Sequence, residues 1–231
     1  MKPTLFRATA TAFVVGLALH VSIRVDATGT TSDELLVGNQ VLEWNQIFID
    51  TLIATNTPNS SSQRLGAIVH TAIFDAYNGI ERRFSPIFVH DSAPAGASRR
   101  AAVIAAAHTT LVSLFPSRQA ALDASYLASL AALSDDGEDG GKSHERGLDW
   151  GRDVANMVLA WRATDGFSGS SPPFTGGTAV GQWRPTPPAF GPMSAQGLAF
   201  TSPFVLVNNV QFQPDPPRGL STGTYAEDSM R

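Results

Sequence analysis

Proline is distributed very unevenly along this chain, and that distribution limits what the chain can fold into. Residues 166–219 hold ten of the 15 prolines and eight of the 20 glycines, whereas residues 28–165 are rich in alanine and leucine. Because proline interrupts helices, the second stretch cannot be helical throughout. We therefore predict an all-α protein, with a helical scaffold region over residues 28–165 and a long Pro/Gly-rich extended segment over residues 166–231. Recurring aromatic residues predict that this segment packs on the helices: Phe174, Trp183, Phe190, Phe200, Phe204 and Phe212.

Five helices are predicted in the first region from its apolar periodicity and its breakers. In the second of them, Ser60 and Gln63 have the spacing of a capping box, and Gly79 is the expected stop. Ser117 is the expected cap of the fourth. The first helix carries an apolar surface wide enough for deep burial, and the small residues Ala101 to Ala107 predict close approach of a neighbour to the third. The expected ranges are 33–53, 60–79, 98–115, 117–133 and 143–165.

The N-terminus has the pattern of a secretory signal peptide over residues 1–27. Lys2 and Arg7 make a positive start, residues 8–23 are apolar and uncharged, and Val25 to Ala27 offers small residues to a signal peptidase. The apolar run is shorter than the roughly 20 residues of a comfortable membrane span. We predict an exported protein, secreted or periplasmic. A single N-terminal membrane anchor is the alternative.

Charge and cysteine content exclude several classes of function. The formal net charge of −4 becomes −6 without residues 1–27, because three positive side chains and one negative one are lost. A mildly acidic chain has no electrostatic footprint for nucleic acid or anionic lipid, so we expect neither nucleic acid nor, after signal cleavage, a membrane as partner. Cysteine is absent, which excludes cysteine catalysis and cysteine-ligated metal sites.

Two ligand-binding motifs fail in the acidic turn at residues 134–141. Gly137 to Ser143 resembles a phosphate-binding loop, but Asp136 stands where the G-x-x-x-x-G-K-[ST] pattern needs its first glycine. The same turn, read from Asp135 as a calcium loop, has Gly137 at the third ligand position and Arg146 in place of the final glutamate. We interpret the stretch as a solvated turn.

The histidines do not form a metal-binding pattern. His70, His90, His108 and His144 lack the H-x-x-x-H and H-E-x-x-H spacings. His70 and Asp75 are five residues apart and therefore do not share a helix face. We interpret His70 and His108 as core or interface histidines, with a ligand role as the alternative. A G-x-S-x-G elbow and a well-placed carboxylate pair are also missing, so the sequence nominates no catalytic, cofactor-binding or metal-binding residue.

Three stretches of scaffold residues occur together in a recognisable order. The first comprises Val41–Asn45, Arg64 and His70–Asn78; the second comprises Ala101–Val103, Ala106–His108 and Leu114–Pro116. The third comprises Asp165–Gly166, Phe174–Gly177, Gly181–Pro188 and Ser202–Phe204. Over about residues 35–225, this order resembles the N-terminal half of exported vanadium-dependent haloperoxidase-like proteins. Those proteins share an all-helical superfamily with type 2 phosphatidic acid phosphatases.

The resemblance implies a helical bundle of the acid phosphatase/vanadium haloperoxidase type and a site for a tetrahedral oxyanion. In such a site arginines bind the oxygens, one histidine is the apical ligand or nucleophile, and a second acts as acid–base. The resemblance places these residues in three segments of the C-terminal half, K-x6-R-P, P-S-G-H and S-R-x5-H-x3-D.

Each partial match to these segments in this chain fails. Arg184–Pro185 has Gly177, not lysine, seven residues before the arginine. Pro116–Ser117 continues with Arg118 rather than Gly-His, and Ser98–Arg99 is followed by Ala105 where the histidine belongs. The sequence therefore predicts an incomplete bundle without the oxyanion site.

The resemblance implies that members of the family bind vanadate and use it for the peroxide-dependent oxidation of halide. For this chain we expect a truncated member of the family that binds no vanadate and is inactive alone. The sequence does not decide whether the chain is an enzyme. One alternative is an exported non-enzymatic helical protein that binds a partner, and another is a type 2 phosphatidic acid phosphatase relative. We expect no closing helix over Tyr225 to Arg231, and possible self-association through exposed apolar helix faces.

Overall fold

The structure, a computed structural model, describes residues 39–133, 141–168, 174–193, 196–216 and 218–230. Every regular element in these ranges is helical, which confirms the all-α expectation. The predicted signal peptide and the acidic motifs at residues 134–140 lie outside the described residues. The helices are α1 (Gln40–Ala54), α2 (Asn59–Glu81), α3 (Arg99–Leu114), α4 (Gln119–Ala131), α5 (Lys142–Ala163) and α6 (Gly223–Ser229), with 3-10 turns at Pro116–Arg118 and Gln196–Phe200.

Helix α3 lies at the centre of a helical body formed by α1 to α5. Its residues Ala101 to Ala107 are at most 3% exposed, so the close approach predicted from their small side chains is confirmed. A Cβ atom at Gly151 of α5 would lie 2.2 Å from the carbonyl oxygen of Ala102, and one at Gly147 would lie 2.4 Å from that of Ser98. The two helices therefore meet backbone to backbone, and only glycine fits at these two positions of α5.

Apolar side chains pack on both sides of α3. One cluster joins α3 to α1, α2 and α4, and the other joins it to α2 and α5. Burying such a side chain contributes about 1.5–3 kcal/mol. The fully buried members with the largest volumes are Trp44, Ile68, Ile104, Leu111, Leu122, Val69, Val103, Val154 and Val158.

Helix α1 is buried on one side only, so the deep burial expected for it is wrong. Trp44 and Phe48 are 0% and 6% exposed, whereas Leu42, Ile49 and Ile53 are 41%, 38% and 73% exposed. Helix α1 lies at the edge of the body, and its contacts with α2, α3 and α4 cover a single face.

The predicted ends of α2 are also wrong. The helix begins directly after Pro58 without a side-chain cap, because the proline already ends the preceding turn and its carbonyl oxygen accepts the first backbone bonds. The Ser60–Gln63 capping box therefore does not form. The helix continues two residues past Gly79, where a Cβ atom would lie 2.4 Å from the Trp150 ring. Gly79 makes room for packing rather than ending the helix.

The third helix begins close to the predicted residue 98, whereas two other predictions about helix ends are wrong. Ser98 caps α3 by accepting a hydrogen bond from the Ala101 N–H at 3.3 Å. Ser117 lies in a 3-10 turn that leads into α4 without a side-chain cap. The chain end does form a helix, α6, because the Thr222 side chain caps it by accepting from the Tyr225 N–H. None of the helices in the described ranges has the length and hydropathy needed to cross a bilayer.

The loop between α2 and α3 is fixed by a buried carboxylate. Asp75 is 0% exposed and accepts backbone hydrogen bonds from Ile87, Phe88 and Val89 at 2.8–2.9 Å. These bonds hold Phe88 in place, and its ring stacks on Trp161 of α5 with 4.4 Å between centroids. The loop thereby completes an aromatic surface beside the C-terminal end of α5.

Candidate functional site

A groove of about 450 Å³ opens between α3, α4 and α5. It combines a histidine, a tyrosine, an arginine and two hydroxyl side chains with apolar walls. This combination makes the groove a candidate for a functional site. Its lining consists of Ala105, His108, Thr109, Val112, Ser113, Tyr126, Leu148 and Arg152.

His108 at the base of this groove connects three helices. Its Nε2 atom lies 2.8 Å from Oδ1 of Asp123 on α4. The imidazole stacks on Tyr126 with centroids 4.3 Å apart and meets the Trp44 ring edge-on at 6.1 Å. These contacts fit the interpretation of His108 as an interface histidine. They also give the ring a carboxylate partner, the arrangement that orients an imidazole for proton transfer.

The charged groups around the groove are already paired. Arg152 forms an ion pair with Asp149 on its own helix, and His108 faces Asp123. Burial raises the pKa of Tyr126; Arg152 opposes this effect and Asp149 adds to it. Of the described residues, only Asp123 hydrogen-bonds the His108 ring. The groove therefore contains a histidine–carboxylate pair, but no hydroxyl group of the described residues hydrogen-bonds the imidazole.

A second cleft of about 290 Å³ lies at the N-terminal end of α3 and includes Tyr77 in its lining. Two arginines line it, and both have partners. Arg99 pairs with Glu81 at 2.6 Å, and Nε of Arg100 donates to the Gln40 side chain at 2.9 Å. Both guanidinium groups are therefore held by neighbouring side chains, and the Glu81 carboxylate offsets the charge of Arg99.

Three charged side chains, Arg64, Arg162 and Asp165, form a buried ion cluster that we call the anchor cluster. Oδ2 of Asp165 accepts from Nε of Arg64 at 2.7 Å and from Nη2 of Arg162 at 2.8 Å. The three side chains are 12%, 1% and 3% exposed. Burial alone would raise the pKa of Asp165, but the hydrogen bonds from Arg64, the Phe167 N–H and Arg162 outweigh it and lower the pKa.

The anchor cluster fastens the proline-rich segment to α5. Arg162 donates to the carbonyl oxygens of Ser202 and Pro203 at 2.6 and 3.3 Å. Its guanidinium lies 4.0 Å from the centroid of the Phe204 ring, which meets Trp161 edge-on. In the sequence, Asp165 appeared only as the end of a helix and as part of a scaffold motif, so this role was missed. Arg64 and Asp165 are 101 residues apart, and a single sequence contains no signal that pairs them.

The other residues singled out from the sequence have structural roles. Nε2 of His70 lies 3.1 Å from the side-chain oxygen of Asn45 on α1, and burial lowers the pKa of His70. The described residues contain no group of three or more His, Asp or Glu side chains that could hold a metal ion. His90 is exposed and His144 is half-buried.

The three partial matches to the oxyanion segments also have structural explanations. Ser98 caps α3 and Arg99 pairs with Glu81. Pro116 to Arg118 forms the 3-10 turn before α4. Arg184 donates to the Thr178 carbonyl oxygen at 3.4 Å, and the N–H of Gly177 donates to that of Trp183 at 3.0 Å.

The described residues do not fit vanadate. An oxyanion of this charge needs several cationic donors that converge on a free position beside a histidine. Two arginines do converge in the anchor cluster, but the Asp165 carboxylate fills the position between them. The groove brings together His108 and Arg152, but each already contacts a carboxylate, Asp123 and Asp149 respectively. We therefore derive no chemical step through vanadate in this chain.

Comparison with known proteins adds one finding on the fold. Neither a protein-family model nor a curated protein matches the sequence. The crystal structure of a bacterial vanadium-dependent iodoperoxidase is similar, with a TM-score of 0.63, 18% sequence identity and coverage of 81% of this chain. The match covers 48% of the iodoperoxidase chain, so this chain spans about half its length. At this identity the likeness shows the fold, and the chain has the all-α fold of the haloperoxidase type.

Proposed function

We propose that this chain is a scaffold portion of a vanadium-dependent haloperoxidase-like protein, without a vanadate site of its own and inactive by itself. The observation that carries the proposal is the likeness to a vanadium-dependent iodoperoxidase over 81% of this chain and 48% of the other. The order of scaffold motifs along the sequence supports the same relationship. The paired state of Arg64, Arg162, Arg152 and His108 supports the lack of an oxyanion site.

Vanadate binding and turnover test this proposal together. The purified chain is titrated with orthovanadate by calorimetry and then assayed with iodide or bromide, hydrogen peroxide and a phenol-dye reporter. We expect no saturable binding and no vanadate-dependent halogenation. Saturable binding, with turnover that disappears without vanadate, would overturn the proposed inactivity and would support a haloperoxidase that is complete in this chain.

The DNA that follows the codon for Arg231 tests the proposed relationship to a longer protein. Translation in all three frames is expected to give P-S-G-H and S-R-x5-H segments. Their absence would count against truncation and in favour of the second candidate, an exported non-enzymatic helical protein. Exposed apolar side chains in the proline-rich segment favour that candidate, because such surfaces mark binding sites.

A phosphatase related to type 2 phosphatidic acid phosphatases is a third candidate, since its phosphohistidine chemistry uses the same kind of oxyanion pocket. It is tested by hydrolysis of a soluble phosphate monoester, for which we expect no activity from this chain.

We also propose export through the N-terminal signal. The chain is expressed with and without residues 1–27, and the cells are fractionated. We expect the full chain in the exported fraction and the shortened chain in the retained fraction.

A further inference from the structure

The cleft of about 290 Å³ at the N-terminal end of α3 is rich in hydrogen-bond donors. Five of its lining residues have side chains that can donate: Asn39, Gln40, Tyr77, Arg99 and Arg100. No Asp or Glu is among the residues that line it. A cavity with several donors and no carboxylate of its own is typical of a site for an anion.

Arg100 brings a positive charge to the cleft that no described carboxylate compensates. Its Nε atom donates to Oε1 of Gln40 at 2.9 Å, and its Nη2 atom makes a long contact of 3.5 Å with the Ala132 carbonyl oxygen. Both partners are neutral, and the described residues provide this guanidinium with no ion pair. Arg99 adds little charge, because Glu81 offsets it. The cleft therefore has about one net positive charge, which matches a monoanion.

The side-chain amide of Gln40 is an unused donor beside this charge. Gln40 is 5% exposed, and its oxygen already accepts from Arg100. Its nitrogen has no hydrogen-bond acceptor among the described residues. An amide donor in a buried side chain is unfavourable without an acceptor. Because Gln40 lines the cleft, an oxygen atom bound there would supply that acceptor.

The two helices that meet at the cleft favour an anion as well. Helix α1 begins at Gln40 and helix α3 begins at Arg99, so both present their N-terminal ends, where the partial charge is positive. An apolar element laid over the cleft would bury these donors without partners, whereas an anion would satisfy them.

We propose that this cleft binds a small organic carboxylate, a monoanion with an apolar part. The two Nη atoms of Arg100 and the amide nitrogen of Gln40 bind the carboxylate oxygens, since a guanidinium matches the planar geometry of that group. Val41 and Val103 also line the cleft and form an apolar wall for the rest of the ligand. A dianion such as phosphate would bring a second charge for which the cleft has no second uncompensated cation. A site of this kind goes beyond the proposed scaffold role and does not depend on it.

Titration of the purified, nitrogen-15-labelled chain with benzoate tests the proposal, with backbone amide chemical shifts as the readout. We expect saturable shifts in the first turns of α1 and α3. Arg100→Gln removes the charge and is expected to raise the dissociation constant at least about tenfold, because a charge-assisted hydrogen bond is lost. Arg152→Gln, which removes an arginine from the groove between α3, α4 and α5, is the matched control and should leave the constant unchanged. Circular dichroism checks that both variants stay folded.

Two further compounds test the native chain itself for recognition of a carboxylate. Benzamide has the same ring without the charge and is expected to give no saturable shift at concentrations where benzoate saturates. Phosphate, at a slightly alkaline pH where it is a dianion, is expected not to displace benzoate. The carboxylate site is contradicted if benzoate does not saturate, if benzamide binds equally well, or if folded Arg100→Gln binds as tightly as the native chain. Displacement of benzoate by an equal concentration of phosphate would assign the cleft to inorganic oxyanions instead.

Discussion

The helical body and the proline-rich segment are folded by different forces. In the body, Trp44, Ile104 and Val154 are 0% exposed, and stability comes from burial on both sides of α3. In the segment, side chains such as Val207 and Phe212 remain largely exposed, and attachment depends on the anchor cluster. The difference teaches that one chain can use apolar burial to build a scaffold, and a buried ion cluster with one aromatic contact, Phe204 on Trp161, to position a segment on it.

Removing the arginine of the anchor cluster is expected to have the largest effect. Arg162→Ala leaves the Asp165 carboxylate buried with only Arg64 as a cation, and breaking a buried ion pair costs about 3–5 kcal/mol. Hydrogen exchange in residues 196–216 is expected to accelerate strongly while α3 stays protected. Arg184→Ala, an exposed arginine of the segment, serves as the control and should change little. If α3 loses protection together with the segment, the two regions are not separable.

Acid is expected to weaken the same contact to a smaller extent, because protonation removes the charge of Asp165 but leaves a group that can still hydrogen-bond. The pKa of Asp165 is lowered in the folded chain. Its contribution to stability is therefore complete above the unfolded-state value of about 4 and is lost as pH falls through the lower folded-state pKa. The measurement is the difference in unfolding free energy between the native chain and Asp165→Asn. That difference should shrink below about pH 4; a constant difference would contradict the assignment.

Within the body, the contact between α3 and α5 is expected to tolerate no added methyl group. At Gly151 a Cβ atom would lie 2.2 Å from the Ala102 carbonyl oxygen. Gly151→Ala should therefore lower the free energy of unfolding by about 1–3 kcal/mol, as overpacking does. Urea denaturation measures the change. Gly191→Ala in the segment, where nothing lies within 4 Å, is the matched control and is expected to be neutral. Equal effects at both positions would remove the contrast between the two regions.

The smallest effect is expected at the end of the chain. Thr222→Ala removes the side-chain cap of α6, which costs about 1 kcal/mol of local helix stability. Amide exchange in residues 223–229 should accelerate, and the melting temperature of the body should not move. A lower melting temperature would show that α6 contributes to the body.

How well the sequence predicted the fold depended on whether the relevant contacts were local. The small residues Ala101 to Ala107 predicted close helix packing, because small side chains let a neighbouring helix approach closely whichever helix it is. Periodicity did not reveal which part of α1 is covered: Trp44 is buried while Leu42 is 41% exposed, and both belong to one apolar pattern. The missed cap at Ser60 has a local cause, since Pro58 already provides the helix start.

The candidate sites were less predictable, because each depends on residues far apart in the sequence. His108 and Asp123 are 15 residues apart on different helices, and nothing in the sequence joins them. The anchor cluster spans 101 residues. The failures of the three oxyanion segments, by contrast, were visible from the sequence, because those motifs are defined by short spacing.

The contact of Gly147 and Gly151 with α3 has a consequence for engineering. Since the two backbones meet there, the contact between α3 and α5 leaves no room for larger side chains at these two positions. The solvent-facing side of α5 and the exposed face of α1 are therefore expected to accept new side chains without disturbing this contact. A binding site or reporter grafted onto this scaffold therefore belongs on those exposed faces, where its side chains do not disturb the contact of Gly147 and Gly151 with α3.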